Sequence, residues 1–209
     1  MSTPQQLIEG FRRFRELHFA EDAVQFQDLV QFGQTPKALV VACCDSRVDP
    51  ALVLDCAPGD LFVIRNVANL VPPAENQGHY HGTSAALEFG VRNLAVPHII
   101  VLGHAQCGGI HALLEGGVAK ENSFIAEWMT IAEAARKQIV QEHAGASDKQ
   151  RHRACEQQAI LISLSNLMTF SWIRERVEHG KLTLHGWYFD IEGGELLGYN
   201  ATTRQFETL

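Results

Sequence analysis

Positive charge, long apolar runs and a secretory leader are scarce or missing in this chain, and each absence excludes a class of protein. Lys and Arg number 17 against 24 Asp and Glu, a formal net charge of −7 over 209 residues. That balance argues against a nucleic-acid binder, which normally has a basic excess, and it offers no basic face for anionic lipid. No apolar run approaches the ~20 residues that span a bilayer. The N-terminal residues lack the basic-then-apolar order of a signal peptide, so we expect a cytoplasmic protein.

The number of cysteines is small and odd, which argues against a disulfide framework. The chain has five, which are Cys43, Cys44, Cys56, Cys107 and Cys155. In a reducing compartment, clustered thiols are typical of metal ligands or nucleophiles, whereas Cys56 and Cys155 are expected to be small buried residues. The sequence also lacks paired C-x-x-C motifs and a G-x-G-x-x-G turn. These absences argue against a zinc-ribbon nucleic-acid binder and against a zinc alcohol dehydrogenase with a dinucleotide site.

The hydrophobic pattern predicts a single α/β domain over residues 1–209. Apolar spacings of three and four indicate a helix over 4–19, and a second over DAVQFQDLV would complete an N-terminal helical arm, residues 1–33. The short β-branched runs KALVVAC, DLFVIRN and PHIIVLGH are typical of buried strands, and the helix SAALEFGVRNL lies between the last two. This order predicts a mostly parallel central sheet flanked by helices. Further helices over 122–143 and 154–178 and a C-terminal hairpin with the turn EGG complete the prediction.

The residues that could carry chemistry stand where two of these strands end. Cys43 and Cys44 close the first strand, and the turn GHAQCGG after the third strand carries His104 and Cys107 as H-x-x-C. Sites in open α/β sheets form at the carboxyl ends of the strands, so the two segments are expected to converge. Adjacent strand residues point to opposite faces, so only one of Cys43 and Cys44 can normally face the site, and the pattern does not decide which.

A set of two cysteines and one histidine suits zinc. Zinc prefers tetrahedral sulfur and nitrogen ligands, and three protein ligands leave the fourth position open, as in catalytic zinc sites. A non-enzymatic structural module would recruit a fourth side chain, and Cys44 could supply it only if the strand were broken there. Core packing of the cysteines and a turn-capping role for His104 are the remaining alternatives.

Asp45 and Arg47 follow the first strand directly and lie two residues apart, so extended backbone would aim them the same way. One interpretation is a structural ion pair. The functional interpretation is that Arg47 keeps the Asp45 carboxylate ionised and oriented beside the metal. There the carboxylate accepts a hydrogen bond from metal-bound hydroxide, but not from a group that lacks a proton.

These motifs resemble those of the β-class carbonic anhydrases. CCDSRV fits the family's Cys-x-Asp-Ser-Arg signature, and GHAQCGG fits its His-x-x-Cys signature. The segments APGDLFVIRNVANLVPP, GTSAALEFGV and LHGWYFDIEGGEL are also similar to the family, so the resemblance covers nearly the whole chain. Some bacterial members carry a tryptophan that helps to bind inhibitory bicarbonate where this chain has Val40, which favours the plant-like type.

The resemblance implies which residues form the site. The family's ligand cysteine lies two before its aspartate, so the implied ligands of one Zn²⁺ per chain are Cys43, His104 and Cys107. Asp45 and Arg47 are the implied catalytic pair. The implied substrate-binding residues are Gln34, Phe62, Val67, Phe89 and Gly108. Ordinary core packing is the alternative for the three apolar ones, and Phe89 lacks the hydroxyl of the tyrosine that many plant-like members have there.

The implied reaction is the reversible hydration of CO₂ to bicarbonate and a proton, by attack of zinc-bound hydroxide. The resemblance also implies a homodimer or a multiple of dimers, with pockets that draw on both subunits. Two thiolates cancel the charge of zinc, so we predict a bound-water pKa above the roughly 7 of a three-histidine site and activity that rises with pH. Hydrogen bonds from the glycines of CGG to the sulfurs would reduce this effect.

Two points of the reaction stay open at the level of sequence. His79 and His81 are candidates for a proton shuttle by composition only, and a plain surface role is the alternative. Relatives of the family hydrolyse carbon disulfide or carbonyl sulfide, and the ligand set does not distinguish these substrates from CO₂.

Overall fold

A six-stranded sheet forms the centre of the computed structural model, which describes residues 3–20, 23–75, 81–116 and 123–209. The strands are β1 Ala38–Cys43, β2 Leu61–Asn66, β3 His98–His104, β4 Thr183–Asp190, β5 Glu195–Asn200 and β6 Gln205–Thr208. Their order is β2-β1-β3-β4-β5-β6; the first four are parallel, and β5 and β6 add antiparallel pairs. The mostly parallel sheet and the C-terminal hairpin are therefore confirmed. The sequence analysis missed β6 because its only apolar residue is Phe206.

Helices connect the strands and cover the sheet. They are α1 Pro4–Phe14, α2 Ala23–Phe32, α3 Pro50–Val53, α4 Gly82–Glu88, α5 Gly108–Leu114, α6 Phe124–Met129, α7 Glu133–Glu142, α8 Asp148–Leu167 and α9 Ser171–Glu178. Turns of π-helix extend α1 to Phe19 and α4 to Asn93. Within the described ranges, every helix is too short or too polar to cross a membrane.

The helix predicted over 122–143 is broken in the structure. It divides into α6 and α7 at a 3₁₀ turn, Thr130–Ala132. The Thr130 hydroxyl donates back to the carbonyl of Glu127 in α6 at 2.6 Å, across the junction with this turn. Buried residues on both sides of the break face one core, so the apolar pattern continues across it and the sequence alone suggests one helix.

The helix predicted over 154–178 differs at its start and in its middle. It begins at Asp148, because Ser147 and Gln150 form a capping box that satisfies the free N–H groups of the first turn. It ends at Leu167, and the chain turns at the buried Phe170 before α9 begins.

Strand β1 is the most deeply buried element of the sheet, with all six residues buried. Leu39 and Val41 pack into the cluster that α4, α8 and α9 cover, whereas Val40 and Ala42 pack on the opposite face. A strand apolar on both faces is the expected centre of a parallel sheet.

The strand order creates a crevice between β1 and β3. The chain passes from β1 to β2 on one side and returns to β3 on the other side, so the connections that follow β1 and β3 diverge. Such a switch point is the usual ligand position in open sheets. Cys43 ends β1 and His104 ends β3, so both stand at this point.

The N-terminal helices α1 and α2 pack on each other rather than on the sheet. The Phe26 ring lies 6.1 Å from that of Phe14 and 4.9 Å from that of Phe19. Neither helix has a buried residue among those described, and Phe11 and Phe32 are 60% and 73% exposed. Exposed apolar surface of this kind is typical of an interface. The single domain over 1–209 and the arm boundary at residue 33 stay predictions.

Candidate metal centre

The two sequence motifs meet at the switch point between β1 and β3. The ligand atoms of Cys43, His104 and Cys107 all lie within 4.8 Å of one another. These residues are only 6%, 1% and 1% exposed. Cys44 is exposed and outside this group, and its N–H donates to the Asn66 carbonyl at 2.9 Å, which extends the strand pairing. The unbroken strand therefore turns Cys43, and not Cys44, towards His104 and Cys107.

The orientation of His104 fits a metal ligand. Its Nδ1 lies 2.8 Å from the Ala105 carbonyl oxygen, which accepts a hydrogen bond from Nδ1–H. Its Nε2 is buried and makes no hydrogen bond to any nitrogen or oxygen of the described residues. Burial lowers the pKa of His104, but contact with Cys43 and with the Ala105 carbonyl raises the pKa overall. A buried ring nitrogen without a partner is costly, and a cation bound at Nε2 would remove that cost. The donor set and this nitrogen together fit zinc.

Backbone N–H groups lie near both sulfurs. Those of Asp45 and Ala68 act to lower the pKa of Cys43, and those of Ile110 and Gly109, the latter a glycine of CGG, act to lower the pKa of Cys107. A hydrogen bond from Cys107 lowers the pKa of Cys43, whereas the negative sulfur beside it and burial raise the pKa of Cys107. Two buried thiols this close together do not both ionise readily. A divalent cation would let both thiols ionise.

Left-handed backbone conformations aim several polar groups at the centre. Ala68, Asn69 and Gln106 have φ of 62°, 49° and 57°, which side-chain-bearing residues rarely adopt. The Ala68 N–H acts to lower the pKa of Cys43, and the Gln106 carbonyl accepts from Arg47 Nη2 at 3.0 Å. Strain of this kind is concentrated at functional sites. Sequence reasoning missed these turns because alanine and glutamine carry no signal for the left-handed region.

Asp45 and Arg47 form a bidentate pair beside the three ligands. Arg47 Nε and Nη2 donate to Asp45 Oδ1 and Oδ2 at 2.9 and 2.7 Å, and the Arg47 backbone N–H donates to Oδ1 at 2.9 Å. The Arg47 guanidinium holds the pKa of Asp45 well below its usual range, and the charge of His104 adds to this effect. The carboxylate therefore stays ionised, and its orientation is fixed.

Arg65 holds the end of β1 in place, a role that the sequence analysis did not assign. Its Nε donates to the Cys43 carbonyl at 2.9 Å and its Nη2 to the Asp45 carbonyl at 2.6 Å, while Nη1 pairs with Asp49 at 3.1 Å. One side chain thus fixes the backbone on both sides of Cys44. In the sequence, only the presence of a basic residue within the strand run DLFVIRN indicates that Arg65 could have this role.

Glu156 holds the backbone of Cys107, and the sequence analysis did not assign this role either. This carboxylate is 4% exposed, accepts the Cys107 backbone N–H at 2.9 Å and accepts the Tyr188 hydroxyl at 2.8 Å. Burial raises the pKa of Glu156, although both hydrogen bonds act in the opposite direction. A glutamate in the middle of α8 looks like any solvated helix residue, because its partner lies 49 positions away.

The five predicted substrate-binding residues fall into two groups. Val67 packs in the same cluster as Cys43 and Cys107, and Gly108 begins α5 directly after Cys107. Val67 also borders a cavity of about 830 Å³ that His81 and Trp128 line. His79 lies outside the described residues.

The other three lie away from the ligands. Gln34 is exposed and precedes β1, and Phe62 pairs in register with Leu39 near the start of that strand. The Phe89 ring stacks on that of Phe62 at 5.9 Å. A six-residue strand is about 17 Å long, so this group and the ligands occupy opposite ends of β1. The fold of one chain does not bring these three residues to its own metal centre.

Comparisons with known proteins agree with this geometry. A family model described as carbonic anhydrase matches residues 38–196. A carbonic anhydrase of Synechocystis sp. is 37% identical over 97% of this chain and 73% of its own length. Two Arabidopsis thaliana proteins, beta carbonic anhydrase 6, mitochondrial, and beta carbonic anhydrase 5, chloroplastic, are 40% identical over 89% and 88% of this chain. The chain spans only 64% and 60% of their lengths.

Solved structures give the same result. The β-carbonic anhydrase CcaA superposes with a TM-score of 0.92 at 35% identity, over 98% of this chain and 91% of its own. One of the tetrameric β-carbonic anhydrases from Sordaria macrospora superposes with a TM-score of 0.84 at 28% identity, over 94% of this chain and 96% of its own.

Proposed function

This chain belongs to the β-carbonic anhydrase family of zinc lyases, which hydrate CO₂ reversibly to bicarbonate and a proton, and we propose how its own residues divide that work. Cys43, His104 and Cys107 hold the zinc ion, one per chain, and Asp45 and Arg47 form the catalytic pair. The observation that carries this proposal is the buried ligand group with an ionised carboxylate fixed beside it.

The folded chain fixes which atoms of the three ligand residues can bind zinc. Zinc bound here supplies a Lewis acid that makes coordinated water more acidic. His104 binds through Nε2, since Nδ1–H is engaged by the Ala105 carbonyl. Two thiolates would leave little net positive charge, and the N–H groups near both sulfurs would draw some negative charge away from them.

Asp45 selects and orients the attacking water. An ionised carboxylate only accepts hydrogen bonds. Arg47 fills both lone-pair positions of Oδ1 and one of Oδ2, so the remaining position on Oδ2 can accept from the water. A water proton donated to Asp45 turns the oxygen lone pair of that water towards CO₂. Arg47 keeps the carboxylate charged and prevents it from rotating. The Arg47 side chain is itself held in place, because its Nη2 donates to the Gln106 carbonyl.

The substrate pocket is completed by a second copy of the chain. Val67 and Gly108 come from the subunit that holds the metal, and Gln34, Phe62 and Phe89 come from its partner. Two observations support a homodimer or a multiple of dimers. The arm exposes an apolar surface, and β2 is an edge strand with Phe89 beside it 45% exposed. The relative from Sordaria is named as tetrameric.

Three finer points remain predictions. A cytoplasmic location is expected, although two relatives are named mitochondrial and chloroplastic, and cell fractionation would test it. His81 stays the candidate proton shuttle among the described residues. Carbon disulfide and carbonyl sulfide stay alternative substrates, to be assayed beside CO₂.

The test is stopped-flow CO₂ hydration at mildly alkaline pH, on protein with its zinc content measured. Fast hydration that Asp45→Ala abolishes while zinc is retained would support the proposal. One zinc per chain without hydration, at any pH up to strongly alkaline, would contradict it.

A further inference from the structure

Apart from Cys43, His104 and Cys107, a second group of side chains in the described part of the chain could bind a metal ion. It lies between the end of α5 and the start of α8. We propose that His111, Glu115 and His152 form a weaker, exchangeable site for a divalent transition metal ion. Their ligand atoms all lie within 4.8 Å of one another. The group shares no residue with the Cys43 centre, so the proposal does not rest on the proposed function.

The three side chains need little movement to bind an ion. His111 lies on α5 and Glu115 caps the end of that helix one turn later, with His111 Nε2 and Glu115 Oε1 separated by 3.9 Å. The ring of His152, from the start of α8, lies 4.4 Å from that of His111. Zinc bonds of ~2.0–2.1 Å place tetrahedral ligands about 3.4 Å apart. The side chains of His111 and Glu115 are 56% and 59% exposed, so rotation about their own bonds can close the gap.

The donor types select the class of metal. Two imidazoles and one carboxylate suit zinc, copper, nickel or iron, whereas magnesium and calcium prefer oxygen ligands alone. Without a thiolate, the site is expected to bind zinc more weakly than the Cys43 centre. Three protein ligands leave the remaining positions to water.

The surrounding charges permit a cation. Lys149 and Arg153 line the same cavity of about 540 Å³ as the two histidines. Each of these cations is already paired with a carboxylate, Lys149 with Glu192 and Arg153 with Asp190 at 3.0 Å. They therefore weaken the site without preventing binding.

The position of the site links it to the support of Cys107. The His111 backbone N–H donates to the Cys107 carbonyl at 2.9 Å. Glu156, one helical turn after His152, accepts the Cys107 N–H. An ion held by His111 and His152 would join the two helices that fix Cys107 from either side. We expect it to raise the melting temperature of the zinc-loaded protein.

The experiment is equilibrium dialysis of zinc-loaded protein against Zn²⁺, with metal content measured per chain. Wild-type protein should then hold two ions per chain in total, and His111→Ala or His152→Ala should hold one. Glu115→Gln should bind the second ion more weakly, because it keeps the shape and loses the charge. His179→Ala removes an exposed histidine at the end of α9 and should keep two ions.

A spectroscopic probe separates the two sites. Co²⁺ added to zinc-loaded protein should bind without a thiolate-to-cobalt charge-transfer band, because the second site contains no sulfur. A total of one ion per chain in wild-type protein after dialysis would overturn the proposal. A second ion that persists in the His111→Ala, His152→Ala double variant, or a cobalt–thiolate band, would also overturn it.

Discussion

At the carboxyl ends of the parallel strands, one chain supplies every group that the proposed metal centre needs, whereas at their amino ends the predicted pocket residues face outward. The three ligands are buried. Arg65 donates to the Cys43 carbonyl and Glu156 accepts from the Cys107 N–H, and these bonds fix the backbone that carries two of them. At the other end Gln34 is exposed and Phe89 is 45% exposed. This difference is the basis of our proposal that metal binding belongs to the single chain, whereas the substrate pocket depends on a second copy.

The physical requirements of the two ends explain this difference. A metal site must hold several donors at bond distances, and side chains locked by buried contacts do this best. A pocket for a small apolar substrate needs mainly dry walls, which two apolar surfaces form when they meet. Four predictions test the contrast.

The largest effect is expected from Cys107→Ser, which removes a ligand from the self-contained end. Zinc should be lost and CO₂ hydration should fall to background, since serine is a poor zinc ligand. Loss of the ion would also lower the free energy of unfolding, by about 4 kcal/mol if free zinc is ~1,000 times its Kd. Metal analysis and thermal unfolding measure both effects. Cys44→Ser, one residue from Cys43 but exposed, is the control and should keep its zinc.

Asp45→Asn should keep zinc and lose turnover. The amide has the same shape but no charge, so it holds Arg47 poorly and can present an N–H to the attacking water. We expect kcat to fall by about 10²–10⁴, the range for a positioned proton-handling group. Stopped-flow assays with metal analysis measure this, and Asp55→Asn changes an exposed aspartate as control. Wild-type turnover, or loss of zinc, would show that Asp45 does not have this role.

Activity should rise with pH because the attacking water must lose a proton, whereas Asp45 is already ionised. The folded pKa of Asp45 lies below the roughly 3.9 of an unfolded aspartate. Its pairing with Arg47 therefore stabilises the protein above that value and is lost only as pH falls through the lower folded pKa. The fall in kcat/KM between pH ~8 and ~5 should reflect protonation of the attacking hydroxide to water, with an apparent pKa above ~7. A flat kcat/KM profile over that range would be inconsistent with this assignment.

The smallest effect is expected at the open end, from Phe11→Ala in the N-terminal arm. If the exposed ring packs on a second copy, its loss should weaken dimerisation by about 1.5–3 kcal/mol and leave zinc content unchanged. Sedimentation measures the dimer, and Glu9→Ala, on the same helix, is the control. Hydration per chain should then fall on dilution. A dimer of unchanged affinity would place the interface elsewhere.

Local features of the sequence were sufficient to predict the central sheet and the place where the site forms. Strand runs, their order and the positions of Asp45, Arg47, His104 and Cys107 after strands can be read from residue type and spacing. These features predicted the parallel sheet, and they predicted that two motifs converge at one edge. Family resemblance added the choice of Cys43 and the pocket residues.

Contacts between distant segments required the folded chain. Glu156 reaches Cys107 across 49 positions, and nothing local distinguishes it from a solvated helix glutamate. The left-handed turns at Ala68 and Gln106, the breaks in two helices and the distance of Gln34 from the ligands also depend on packing. Residue type sets which interactions a side chain can make, but burial and long-range contacts decide which of them it makes, and those arise only when the sheet and its helices assemble.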